Sequence, residues 1–121
     1  MTRTVYLRDR AQAEAALAAN DLAVDNGAAG DIRFLTPPDG AFTAGESYYR
    51  AVLAALPRPV EAILDCGDDG ACAVEALNAG WRAVVLAGPT RPAVTAIAAE
   101  LGAEVLARAP AAIDLPSPPR P

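Results

Sequence analysis

Five short apolar runs, at 4–8, 32–35, 60–64, 83–87 and 104–107, alternate with alanine-rich stretches whose apolar residues recur at helical spacing. No other feature narrows the fold as much. The central runs carry almost no polar alternation, which marks strands covered on both faces. Neighbouring strands separated by a helix are joined by right-handed crossovers and run in parallel. The implied fold class is α/β: a single three-layer domain of about five mostly parallel strands with helices on both faces.

Turn chemistry divides the repeats. Asp9 is placed to cap a first helix that runs to about residue 20. Asp25, Asn26, Gly27 and Gly30 mark 21–30 as mostly loop, with 22–24 as an optional extended piece. Pro37, Pro38, Asp39 and Gly40 form a turn after the second strand. The second helix spans about 45–56 with Tyr48, Val52 and Leu56 on one stripe and Tyr49 and Leu53 beside it, and Pro57 and Pro59 end it. Asp68 or Asp69 opens a third helix that buries Val74 and Leu77 and stops at Gly80. The fourth places Val94, Ile97, Ala98 and Leu101 at i, i+3, i+4 and i+7, with Gly102 as its stop. The domain is read as 1–108, followed by a proline-rich tail over 109–121 that Ile113 and Leu115 are placed to pin to the surface.

Composition excludes several function classes. The net charge is −5 and the ten basic residues, all arginine, form no stripe, so no nucleic-acid partner is expected. Only 5% of residues are aromatic, which argues against a base-stacking surface. No apolar run reaches membrane-spanning length, so no membrane partner is expected. Two cysteines do not make a disulfide scaffold, and no leader is evident; a cytoplasmic setting is the expectation. The chain has neither histidine nor lysine. Schiff-base chemistry and the commonest general base are therefore unavailable, and catalysis would rest on carboxylates, thiols, hydroxyls, arginine and backbone amides.

In parallel α/β sheets, ligands bind beyond the carboxyl ends of the strands. Those ends carry the candidate ligand-binding residues: Asp9, Thr36, Asp39, Asp65, Cys66, Gly67, Asp68, Gly88 and Thr90. Gathered carboxylates could hold a hard divalent ion, with Asp65 and Asp68 as the metal candidates, or keep one acid protonated. The same aspartates also suit helix capping and turn bonds, with no ligand involved. Cys66 and Cys72 are not a redox pair by spacing. Cys72 falls in the first turns of a helix, where the dipole would lower a thiol pKa, and packing is the competing reading for both.

Some stretches resemble known families. Gly40, Gly45 and Ser47 resemble the Walker A phosphate loop, but Glu46 stands at the position of its lysine, which opposes a nucleotide. Leu64 and Asp65, with Arg108 and Pro110 later in the chain, resemble phosphoacceptor receiver domains; these imply a flavodoxin-like sheet, although the acidic pair and the lysine of that family are missing. The run 75–80 followed by 83–86 resembles aldolase-type barrels, which implies the alternative fold, a partial βα-barrel; no catalytic residue carries over. The overall layout is similar to small, alanine-rich bacterial α/β proteins and implies no activity.

The functional expectation is a non-catalytic domain that binds a small ligand, such as a small anion or carboxylate, or that mediates protein interaction and assembly. Two open sheet edges favour a homo-oligomer, with Tyr48, Tyr49 and Trp81 as contact residues or as packing. No cofactor is implied. The rival reading is a carboxylate-based, metal-assisted lyase or hydrolase at the Asp65–Asp69 edge.

Overall fold

In the computed structural model, which describes residues 2–27, 30–38 and 40–119, the chain forms five strands and four α-helices in strict alternation. The strands are β1 (Thr2–Tyr6), β2 (Asp31–Leu35), β3 (Glu61–Asp65), β4 (Ala83–Val85) and β5 (Glu104–Leu106). The helices are α1 (Arg10–Asp25), α2 (Glu46–Ala54), α3 (Gly70–Asn78) and α4 (Arg91–Leu101), and a π-helical turn, Ala41–Gly45, leads into α2. All pairings are parallel and the strands lie in the order in which they occur in the chain. The α/β class and the parallel five-stranded sheet are thus as the sequence implies. Among the described residues no helix is long and apolar enough to cross a membrane.

Strand order determines where the helices go. Right-handed crossovers between neighbours taken in sequence all leave the sheet on the same side. One buried cluster accordingly takes Val5, Phe34, Leu64 and Val84 from the strands and Ala13, Leu17, Val52, Ala76 and Ala98 from all four helices. The opposite face carries a smaller cluster of Leu35, Ile63, Ala83 and Val85, with Tyr6, Leu106 and Ala112 packed against it and no helix residue among them. This face, which the sequence reading also gives to helices, is met instead by Ala112 of the C-terminal segment. A sheet in chain order with one helical layer is the arrangement of the partial βα-barrel alternative, whereas a flavodoxin-type sheet reverses order after its first strand.

The tail is fastened. After Ala112 meets the second cluster, Ile113 adds to the outer edge of β1: Tyr6 N–H donates to its carbonyl at 3.0 Å and its own N–H donates to Thr4 O at 2.9 Å. Asp114 then forms a two-bonded ion pair with Arg8, at 2.9 and 2.6 Å, and Leu115 packs on the first cluster. An edge strand left open invites pairing with another chain, and this contact occupies part of one of the two edges.

Several boundaries differ from the sequence reading. The first helix continues to Asp25, so 21–25 is helical, including the stretch assigned an extended option; Leu22 and Val24 are both exposed there, which is why apolar spacing gave no sign of it. On α2 the buried stripe is Tyr49, Val52 and then Leu56, while Tyr48 is 40% exposed and donates to Arg8 O. On α4, Val94 and Ala98 are buried but Ile97 and Leu101 are exposed, because the helix lies at the edge of the sheet, beside the last strand. On α3, Ala73, Ala76 and Leu77 face inward and Val74 is only half-buried. Gly80 takes a φ of 108° and Gly102 one of 70°, the left-handed stops expected of them.

Candidate functional site

The carboxyl rim of the sheet is built mainly from bonds that hold its own loops. Thr36, fully buried after β2, accepts the Asp65 N–H through its hydroxyl at 2.9 Å. Asp65 ends β3 and accepts the Gly67 N–H at 2.9 Å, fixing a turn in which Gly67 has a φ of 60°. Asp69, not Asp68, caps α3 by accepting the Cys72 N–H at 3.1 Å. Asp9 caps α1 through the Gln12 N–H at 2.8 Å and accepts the Ser117 hydroxyl at 2.6 Å. Asp39 lies outside the described residues.

Of the candidates, Asp68 and Gly88 lie side by side: a Cβ at Gly88 would stand 3.7 Å from that of Asp68. Thr90 precedes α4, makes no capping bond through its side chain, and packs on Gly70, where a Cβ would fall 2.7 Å from the Thr90 hydroxyl. Thr36, Asp65 and Gly67 form a second group, while Asp9 is tied to α1 and the tail. Among the described residues no group of three or more histidine, cysteine, aspartate or glutamate side chains is placed to hold a metal ion.

Both thiols are held above their ordinary range. Cys66 is fully buried, and burial, with Cys72 as its neighbour, pushes its thiol far above the ordinary range. Burial also raises Cys72, more than its bond with Cys66 lowers it.

A cavity of about 650 Å³ lies at the opposite end of the sheet, where β2 to β5 begin. Leu53, Val60, Ile63 and Ala83 give it apolar walls beside Trp81, which is 6% exposed. Four arginines (Arg33, Arg50, Arg58, Arg82) and three carboxylates (Asp31, Glu61, Glu104) line it. Arg50 is paired with Glu46 at 2.7 Å and Arg58 with Asp21 at 2.8 Å. Arg33 and Glu61 are register partners on adjacent strands, yet Arg33 gives its Nε–H to Thr4 Oγ1 at 2.8 Å. Among the described residues neither Arg33 nor Arg82 has a carboxylate within 4.0 Å.

Trp81 is held from above: its indole N–H donates to Glu46 Oε1 at 2.9 Å. Burial pushes the Glu46 carboxyl up, but bonds from Arg50 and then Trp81 outweigh it and leave it below the usual value. Glu46, which displaces the lysine of a phosphate loop, therefore has a structural part: it joins α2 to the approach to β4.

Arg33 and Arg82 are not among the candidates at the carboxyl ends of the strands. Arg33 sits between buried Ile32 and Phe34, so strict alternation was the available sign that it points to the other face. The chain matches no protein-family model, no curated protein and no solved structure.

Proposed function

We propose that this chain is a non-catalytic binding domain that takes a small carboxylate with an apolar body in the cavity at the amino ends of its strands. The observation that carries this reading is a pair of arginines that have no carboxylate partner among the described residues, Arg33 and Arg82, on an apolar cavity with Trp81 in its wall. Guanidinium forks match carboxylates in geometry and charge. Mostly apolar concavities with a few convergent polar groups are the ordinary form of small-ligand sites. Glu61 and Glu104 at the same cavity oppose polyanions such as nucleotide phosphates, so a single carboxylate suits the balance best. The carboxyl rim offers less: Asp65 and Asp69 are both engaged with backbone amides.

Trp81 is the only tryptophan, so its fluorescence reports directly on this cavity. Titration with hexanoate is expected to give a saturable change that weakens about tenfold in Arg33→Gln and in Arg82→Gln, the loss of one charge-assisted bond. It is expected to survive Asp65→Asn. Loss of the response in Asp65→Asn alone, with both arginine variants unaffected, would move the site back to the carboxyl rim.

A further inference from the structure

We infer that the ligand of this cavity is an α-amino acid with an unbranched apolar side chain, its ammonium group held by Glu61. The inference rests on the carboxylate reading of the cavity and adds a second charge to the ligand. Thr4, Arg33 and Glu61 are register partners across β1, β2 and β3, so their side chains stand in one row on one face of the sheet. Adjacent strands lie about 4.8 Å apart, which makes Arg33 and Glu61 neighbours of opposite charge. Opposite charges at facing positions of a sheet attract. Here they do not pair: Arg33 gives its Nε–H to Thr4 Oγ1 at 2.8 Å, on the side away from Glu61. Among the described residues Glu61 has no cation within 4.0 Å. A ligand with both charges completes the row, its carboxylate on Arg33 and its ammonium on Glu61.

The apolar part of the ligand follows from the same alternation. Two residues further along β2 and β3, on the same face, come Leu35 and Ile63, both buried in one cluster with Ala83. Ile63 and Ala83 line the cavity together with Arg33 and Glu61. A charged row at the margin of the sheet thus borders an apolar row one step further in. An α-amino acid has this layout, with both charges on one carbon and the side chain leading away from them. A diacid would set its second carboxylate against Glu61 or against the apolar row. Glu104 also lines the cavity, but its register partner is Ala83, so no cation stands beside it in its row.

The test is calorimetry on the full chain with three related probes. Hexanoate carries the carboxylate alone, L-norleucine is hexanoate with an α-ammonium, and 1-aminopentane keeps the ammonium without the carboxylate. L-Norleucine is expected to bind about tenfold more tightly than hexanoate, and 1-aminopentane more weakly than either. Glu61 is exposed, so Glu61→Gln is expected to melt with the wild type. It is expected to bring L-norleucine down to the affinity of hexanoate or below, with hexanoate binding kept or improved. Glu104→Gln is expected to leave the preference intact. Hexanoate binding without a preference for L-norleucine, or a preference that survives Glu61→Gln or is lost in Glu104→Gln alone, would overturn this inference and leave the carboxylate site standing. Binding of neither probe would overturn both.

Discussion

Asp65 turns its carboxylate back onto the amide of Gly67, two residues further along, at 2.9 Å, while its own amide is held by Thr36. The residue that looks most like a catalytic acid in the sequence is thus the fastening of the turn after β3. Thr36→Val keeps the shape of a fully buried side chain but removes the acceptor for the Asp65 amide. It is expected to lower stability by about 1–3 kcal/mol in urea unfolding, with Thr36→Ser close to wild type.

Gly70 and Thr90 join the turns that lead into α3 and α4. A Cβ at position 70 would stand 2.7 Å from the Thr90 hydroxyl and 3.1 Å from its Cβ. Gly70→Ala is expected to destabilise by about 1–3 kcal/mol through overpacking. Thr90→Gly in the same chain is expected to recover part of that loss, a coupling that a double-mutant cycle measures.

Glu46 accepts the Trp81 indole N–H and pairs with Arg50. Glu46→Leu leaves that N–H without its acceptor and is expected to cost about 1–3 kcal/mol, with a shift in tryptophan emission. Glu46→Gln keeps an acceptor and is expected to lose less.

Much of the fold was legible in these residues. Alternation of apolar runs with alanine-rich stretches gave five parallel strands, and Gly80 and Gly102 marked helix ends by the backbone freedom they supply. The single helical layer was not legible, because a periodic stripe says that a helix packs on a sheet but not on which face. Nor was the contact at the sheet edge: Ile113 joins β1 through backbone bonds, which leave little trace in side-chain pattern. At the site, Asp65, Asp69 and Thr36 were visible as residue types, but their partners are amides a few residues away or on the next strand. Arg33 and Arg82 lie at the amino ends of the strands, away from the rim where parallel sheets ordinarily bind ligands.

The tail contact has a pH dependence set by Asp114, whose carboxyl is held below its ordinary value by the Arg8 guanidinium. A carboxyl with a depressed folded pKa contributes stability that is complete above its unfolded value, about 3.9, and is lost as pH falls through the folded value. Hydrogen-exchange protection at the Ile113 amide is therefore expected to hold from neutral pH down to about 4 and to fall below it. Asp114→Asn is expected to show the reduced protection at every pH, with sensitivity to salt removed.

The most direct measurement is a map of backbone and indole NMR shifts during titration with hexanoate. Binding in the cavity at the amino ends of the strands is expected to move Arg33, Val60, Arg82 and the Trp81 indole N–H together, with one dissociation constant. Shifts confined to Gly67, Asp68, Gly88 and Thr90, with the Trp81 indole unmoved, would contradict it.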